Sequence, residues 1–147
     1  MNISILWFRQ DLRLHDNPAL QAALHDNSTV IPVYIAEPRE HDWSPGAASL
    51  WWLHHSLSAL QQSLREHGSD LLLYRGDTAE ILSQLCKQMH ATRVCWNRCY
   101  EPHAIERDSR IKQALQGDAI DVHSFNASLL TEPWHTTKAD GSPYRVF

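Results

Sequence analysis

The turn after the first apolar run of the sequence carries alternating charges and no glycine. It reads RQDLRLHD at residues 9–16. Binding of a nucleotide phosphate in such a turn requires clustered glycines, because only then can backbone N–H groups approach the anion. The sequence therefore lacks a dinucleotide fingerprint and a P-loop. We interpret Arg9, Asp11, Arg13 and Asp16 as an ion-pair network that holds the turn in one shape, with direct ligand contact as the alternative.

The sequence contains 10 histidines and 3 cysteines, but their spacing matches neither a metal site nor a hydrolytic active site. The adjacent His54 and His55 would point about 100° apart on a helix. No HExxH motif, paired-cysteine spacing or G-x-S-x-G elbow occurs. The sequence predicts no metal site, and Cys86, Cys95 and Cys99 are interpreted as reduced thiols of a cytoplasmic protein.

Five short apolar runs indicate the strands that would position these residues. They lie at residues 3–8, 30–35, 71–74, 93–97 and 120–125. Such runs are typical of strands buried on both faces. Pro32 lacks a backbone donor and therefore favours an edge position or a local irregularity for the second strand.

Helix start signals lie between the runs, as a capping residue before a proline or as an acidic capping box. They occur at Asn17-Pro18, Ser44-Pro45, Asp77–Glu80 and Pro102. This order predicts an α/β, Rossmann-like fold, a five-stranded parallel sheet with helices on both faces. Ligands of such sheets bind beyond the carboxyl ends of the strands, where the strand order reverses.

The length and the net charge of the chain exclude some classes of protein. The chain has 147 residues, which suits one domain, and its formal net charge of −4 argues against a basic module that grips DNA phosphates. No membrane span or signal peptide is predicted. The regular pattern ends after residue 125, so we expect a domain at 1–125 and a linker at 126–147 that enters a further domain. We expect this tail to be poorly fixed or held by a neighbouring copy instead of docking on its own domain.

Four segments of the chain resemble the DNA photolyase and cryptochrome family. They are WFRQDLRLHDNPAL at 7–20, GAASLWWLHHSL at 46–57, WNRCYEPHAIERD at 96–108 and YRVF at 144–147. The resemblance implies an amino-terminal light-harvesting domain that holds an antenna chromophore, which is a folate, a deazaflavin or another flavin. A helical carboxyl-terminal domain, absent from this fragment, would hold FAD and meet damaged DNA.

The function that this resemblance implies is that of a deoxyribodipyrimidine photolyase. The excited antenna would pass its energy to reduced FAD, which splits a cyclobutane pyrimidine dimer, so the fragment would contain no catalytic residue. Its partners would be its own FAD domain and, through the parent protein, damaged DNA, with no membrane and no metal. Two alternatives stay open: a cryptochrome-type blue-light receptor without repair, and a free-standing Rossmann-like nucleotide-binding module.

A pocket for a flat conjugated ring needs apolar or aromatic walls and a few oriented polar groups. The predicted walls are Phe8, Ala36, Pro38, Leu50, Trp51 and Tyr100. The predicted polar groups are Glu37, His41, His54, Arg98 and Glu101. The resemblance implies a pigment-contacting role for His41 and a position beside the pocket for Glu101. Trp7, Trp52 and Trp96 are expected to pack in the core or between helix and sheet.

Overall fold

Five strands and four helices alternate along the chain. A computed structural model describes residues 2–25, 28–37 and 45–142. The strands are β1 (Ile3–Phe8), β2 (Thr29–Ala36), β3 (Leu72–Arg75), β4 (Arg93–Asn97) and β5 (Asp121–Phe125). The helices are α1 (Pro18–Ala23), α2 (Ala47–Glu66), α3 (Thr78–Met89) and α4 (Pro102–Gly117), and a 3₁₀ turn follows at Pro133–His135.

All five strands belong to one parallel sheet in the order β3-β2-β1-β4-β5. Ile5 in the central strand pairs with Ile31 of β2 and with Val94 of β4. The chain moves outward from β1 through β2 to β3 and then returns to the other side of β1. Strand order therefore reverses between β1 and β4, which is where sheets of this kind open a crevice.

Successive residues of β1 are buried in two different cores. Ile5 and Trp7 pack with the apolar faces of α3 and α4, whereas Leu6 and Phe8 pack with those of α1 and α2. Side chains alternate across a strand, so an apolar run without polar interruptions requires a helix layer on each face. The predicted five-stranded parallel sheet with helices on both faces is confirmed.

Helix ends follow local capping rules. Asn17 Oδ1 accepts the N–H of Leu20 at 3.1 Å, and Asp77 Oδ1 accepts the N–H of Glu80 at 2.9 Å. Past α2, Gly68 adopts a left-handed backbone with φ of 76°, and His90 does so after α3 with φ of 52°. No helix in the described ranges is long and apolar enough to cross a membrane.

Pro32 does not lie in an edge strand, so of the two expectations for this proline the edge position is wrong. β2 lies between β1 and β3. Pairing with β3 starts only at Val33, one residue after the proline. Pro32 is therefore at a position where β2 has a partner strand on one side only, and a missing donor is tolerated there.

The segment after β5 is attached to the domain, contrary to the expectation for the tail. Arg13 Nη2 donates to the carbonyl of Ala127 at 2.9 Å. Arg98 and Tyr100 both donate to the carboxylate of Glu132, which is only 9% exposed. A buried carboxylate needs such partners, and here they lie in the loop after β4. The domain boundary at residue 125 itself stays a prediction.

Candidate functional site

A cleft of about 1320 Å³ lies at the carboxyl ends of the strands. It is lined by the ends of β1 and β2, the turns after β1 and β3, the first half of α2, and the start of α4. Ligand pockets for small molecules have volumes of about 300–1,000 Å³, so this open cleft has room for a ring system of three fused rings. It coincides with the point where the strand order reverses.

Asn97, the last residue of β4, joins the turn after β1 to α1. Its Nδ2 donates to Asp11 Oδ2 at 2.5 Å and to Asn17 Oδ1 at 2.7 Å, and its Oδ1 accepts the N–H of Ala19 at 3.2 Å. The Asn97 side chain is buried, so these bonds replace all of its contacts with water. The glycine-free turn is thereby held in one shape.

Arg9 ties the same turn to α4. The guanidinium of Arg9 donates to Asp108 at 2.6 Å and to the backbone carbonyl of Asn97. The backbone N–H of Arg9 donates to Asp11 Oδ1 at 2.9 Å. Arg13 bonds the carbonyl of Asp16 instead of its carboxylate. The turn is fixed as predicted, but its charges bond to groups outside it or to backbone atoms and form no ion-pair network among themselves.

A second charged cluster joins the carboxyl end of β2 to the start of α3 and to the first half of α4. Arg107 donates to Glu37 at 2.5 Å and to Asp108 at 3.0 Å, and Glu37 accepts the hydroxyl of Thr78 at 2.6 Å. Burial opposes the charged form of Arg107, but the carboxylates of Asp108 and Glu37 outweigh it and raise its pKa. Glu37 is therefore held in place at the rim of the cleft.

Trp7 lies beneath these two arginines at the floor of the cleft. The guanidinium of Arg9 is 4.6 Å from the centre of the Trp7 ring, and that of Arg107 is 5.3 Å from it. Trp96 meets Trp7 edge to face at 5.5 Å. Trp7 and Trp96 are each 1% exposed, in agreement with the expectation that both pack in the core.

The residues predicted to contact a pigment fall into four groups. Four of them line the cleft: Ala36, Glu37, Leu50 and Glu101. Arg98 and Tyr100, together with Glu101, line a smaller groove of about 280 Å³. Pro38 and His41 lie outside the described residues. The cleft therefore brings together part of the predicted set.

Phe8, Trp51 and His54 do not line the cleft. Phe8 is fully buried in the core beneath α1 and α2, because Trp7 occupies the alternate position of β1 that faces the cleft. His54 and Trp51 are exposed on α2, and Trp51 is 62% exposed. Trp52 lines the cleft and is 68% exposed, so the expectation that it packs in the core is wrong. Successive helix residues point about 100° apart, so Trp52 faces the cleft and Trp51 does not, although their ring centres are 6.5 Å apart.

Two helix amino ends at this edge of the sheet are occupied by side-chain oxygens of the chain itself, while Glu101 precedes α4 without a side-chain cap. Asn17 and Asp77 cap α1 and α3. Glu101 begins α4, and backbone hydrogen bonding is the main cause that lowers the pKa of its carboxyl, with Gln10 at 3.2 Å as a further donor. Gly46 begins α2 without a side-chain cap. A phosphate bound at α3 would meet the capping carboxylate of Asp77, and one bound at α4 would meet the negative charge of Glu101.

Sequence reasoning missed Asn97, Arg107 and Glu132. Each joins segments that are far apart in the chain, and Asn97 and Asp11 are 86 residues apart. Two signals could have pointed to them: Asn97 is a polar residue at the end of a buried strand, and Glu132 is an acid in an irregular segment. Within the described residues, no group of three or more His, Cys, Asp or Glu side chains could hold a metal ion.

Residues 4–147 match the family model described as DNA photolyase. The chain belongs to the DNA photolyase family. It is 47% identical over 144 residues to the deoxyribodipyrimidine photo-lyase of Agrobacterium fabrum, covering 97% of this chain and 29% of that protein. It is 42% identical over 146 residues to cryptochrome-2 of Arabidopsis thaliana, covering 98% of this chain and 24% of that one.

Solved structures of photolyases share the fold. A bacterial class III photolyase from Agrobacterium tumefaciens superposes with a TM-score of 0.90 at 46% identity, covering 99% of this chain and 30% of that one. An archaeal photolyase from Sulfolobus tokodaii, solved with two FAD molecules, gives a TM-score of 0.80 at 32% identity over 89% of this chain and 31% of that one. The resemblance to the photolyase and cryptochrome family is confirmed, and the chain spans less than a third of these relatives' lengths.

Proposed function

We propose that this chain is the light-harvesting domain of a flavoprotein and that its cleft holds a flat conjugated chromophore. The observation that carries this proposal is the cleft of about 1320 Å³ at the reversal of strand order. Leu50, Leu53 and Trp52 give it apolar and aromatic surface on the α2 side, and Glu37 and Glu101 add polar groups held by partners. This combination suits a planar ring that needs orientation and no acid–base catalysis.

A pigment without a phosphate group fits the charges of this cleft best. The turn after β1 contains no glycine, and carboxylates stand at the amino ends of α3 and α4. A folate, a deazaflavin or another flavin is the class of ligand that we propose. When bound, the pigment would absorb light and pass its energy onward, while the residues of this chain hold it, orient it and exclude water.

We further propose that the parent protein is a deoxyribodipyrimidine photolyase that holds FAD in a further domain and acts on damaged DNA in the cytoplasm. The relative from Agrobacterium fabrum supports this proposal, since it carries that name at 47% identity. A cryptochrome is the second candidate, because cryptochrome-2 of Arabidopsis thaliana is 42% identical over nearly the same length. Family membership argues against a free-standing nucleotide-binding module.

Binding by the purified chain tests the pigment proposal. The ligands are 5,10-methenyltetrahydrofolate, an 8-hydroxy-5-deazaflavin, riboflavin, FMN and ATP, and titration calorimetry measures each affinity. We expect micromolar binding of at least one pigment and none of ATP. Leu53→Gln should weaken pigment binding about tenfold, since it puts a polar group on the apolar wall. Leu73→Gln is the matched control, because Leu73 is exposed outside the cleft.

Two results would contradict the pigment proposal. One is that none of the pigments binds, and the other is that ATP binds with micromolar affinity. Riboflavin and FMN differ by one phosphate, so a tighter binding of FMN would separately overturn the proposed preference for a pigment without phosphate.

Illumination of the full-length parent separates the two candidate activities. The purified protein with reduced FAD is mixed with DNA that contains pyrimidine dimers and is exposed to blue light. We expect the dimers to disappear, as measured by chromatography of the digested DNA, with an identical sample kept in the dark as the control. Persistence of the dimers under light would exclude the repair activity and favour the cryptochrome candidate.

A further inference from the structure

We propose that Glu132 is a positioning residue that fixes one wall of the cleft. It does so by holding the loop of residues 98–101, between β4 and α4, against the tail that follows β5. The hold on the loop can be tested without any ligand. Its importance for pigment binding rests on the function proposed above.

Both carboxylate oxygens of Glu132 are used within the fold. Arg98 donates to Oε1 in a close ion pair, and the hydroxyl of Tyr100 donates to Oε2 at 2.9 Å. Glu132 is 9% exposed, so these bonds are shielded from competition by water. The ring of Trp134 stacks on the Arg98 guanidinium at 5.5 Å, which adds a second contact from the tail to the same loop residue.

The loop itself is anchored to β5 on the side of the tail. Arg98 also donates through Nη2 to the carbonyl of Ser124 at 2.7 Å, and its backbone N–H donates to the carbonyl of Phe125 at 2.8 Å. Arg98 therefore connects β5, the loop and the tail. Loss of Glu132 removes the negative charge opposite this guanidinium and the acceptor for Tyr100.

Residues of the loop alternate between contacting the tail and lining the cleft. Arg98 and Tyr100 bond to Glu132, whereas Cys99 and Glu101 line the cleft. Consecutive residues share one backbone, so a tail that releases Arg98 and Tyr100 also frees the two residues that face the cleft. Glu132 contacts the loop and does not line the cleft, so it acts on the cleft only through the loop.

Cys99 offers a native reporter for this coupling. Its thiol lies in the loop and is partly exposed, whereas Cys86 and Cys95 are buried. Burial raises the pKa of all three thiols, to about 11 for Cys86 and Cys95, so each thiol reacts slowly at neutral pH until its surroundings open. Alkylation by N-ethylmaleimide, followed by mass spectrometry of each cysteine peptide, measures the loop and the core in one experiment.

The decisive comparison is between Glu132→Ala and Asp140→Asn in the whole chain. We expect Cys99 to react about tenfold faster in E132A, because local opening of the loop becomes easier, while Cys86 and Cys95 keep their rates. D140N is the matched control, since Asp140 lies in the same tail and, among the described residues, its side chain bonds to Ser142 and not to the loop. An unchanged rate at Cys99 would overturn the proposal, and so would an equal rise at all three cysteines.

The pKa of Tyr100 gives a second readout, which reports the contact with Glu132 directly. Burial and then the hydrogen bond to Glu132 raise the pKa of its phenol. We expect E132A to lower that pKa, as measured by absorbance at 295 nm against a Tyr100→Phe variant that identifies the signal. A Tyr100 pKa identical in E132A and wild type would contradict the assigned contact.

Pigment binding completes the test. E132A should weaken binding of whichever of the pigments named above the wild-type chain holds, and D140N should not. Equal affinity in E132A and wild type would overturn the positioning role. If the wild-type chain binds no pigment, the proposed function fails, while the cysteine and tyrosine measurements still decide whether Glu132 holds the loop.

Discussion

At the scale of single residues, the side-chain amide of Asn97 makes three hydrogen bonds that join the turn after β1 to α1. Its nitrogen donates to a carboxylate and to a second amide, and its oxygen accepts a backbone N–H, while the backbone carbonyl of the same residue accepts from Arg9. An isolated buried polar group costs about 1–3 kcal/mol when its partner is removed. One substitution at this position therefore leaves several groups without a partner at once.

Asn97→Leu should lower the free energy of unfolding by about 3 kcal/mol, since leucine has the same branched shape but no hydrogen-bonding group. Urea denaturation followed by tryptophan fluorescence measures the change. Gln84→Leu on the exposed face of α3 is the control and should change the free energy by less than about 0.5 kcal/mol. A change of that small size for N97L would show that the bonds of Asn97 do not stabilise the fold.

The carboxyl of Glu101 gives the site a defined response to acid. Its pKa lies below the ordinary value of 4.5 in the folded protein, chiefly because of backbone hydrogen bonding. A lowered pKa contributes stability above the ordinary value, and that stability is lost as the pH falls through the folded pKa. Wild type should therefore lose more stability than Glu101→Gln on acidification.

Urea denaturation at pH 7 and at pH 3.5 measures this difference. Glu106→Gln, another exposed acid of α4, is the control and should lose as much stability as wild type. Equal acid sensitivity of wild type and E101Q would contradict the assignment of the bonded carboxylate to Glu101.

At the scale of elements, the ends of α2 and α3 differ in one respect. Both helices are followed by left-handed backbone, but Gly68 occupies that position after α2 and His90 does so after α3. A residue with a Cβ is strained there, and glycine is not. The sequence therefore uses the preferred residue at one helix end only.

Exchanges at these two positions should have opposite effects. His90→Gly should raise the free energy of unfolding by about 0.5–1 kcal/mol, and Gly68→Ala should lower it by about 1 kcal/mol. No atom would clash with a Cβ at Gly68, so the loss there would come from backbone conformation alone. Thermal denaturation by circular dichroism measures both, and a shift of the same sign in the two variants would refute the explanation.

The order and type of the elements could be predicted from sequence because their signals are local. Continuous apolar runs gave the strands, and Asn17 and Asp77 gave helix starts that the structure shows as capping bonds. The interior position of Pro32 could not be predicted, since it depends on where β3 begins to pair. The leucine spacing of α2 likewise did not indicate that its first turns extend past the core and leave Trp52 exposed.

The site could be predicted only in part, because its geometry depends on long-range contacts. The expectation that a ligand would meet the carboxyl ends of the strands agrees with the position of the cleft. The sequence predicts Arg98 as a polar group of the pigment pocket and Tyr100 as one of its walls, but both bond to Glu132, which lies more than 30 residues away with no periodic signal between them. Charge pairing of this kind leaves no pattern in a single sequence.

At the scale of the whole molecule, the formal net charge of −4 predicts weak contact with DNA. Non-specific binding comes from neutralisation of phosphates by basic side chains and falls steeply with salt. We expect the chain alone to leave the fluorescence anisotropy of a dimer-containing oligonucleotide unchanged at about 10 μM protein in moderate salt. The full-length parent is the control, and salt-sensitive binding by the chain alone would disprove this expectation.

The central position of β1 determines the order in which the sheet can assemble on the ribosome. β2 and β3 emerge soon after β1, so one half of the sheet can form early. Arg9 and its partner Asp108 are 99 residues apart, and the floor of the cleft cannot close before most of the chain has been synthesised. During that interval the edge of β1 that later pairs with β4 is open, and an open apolar edge is where nascent chains aggregate or recruit chaperones.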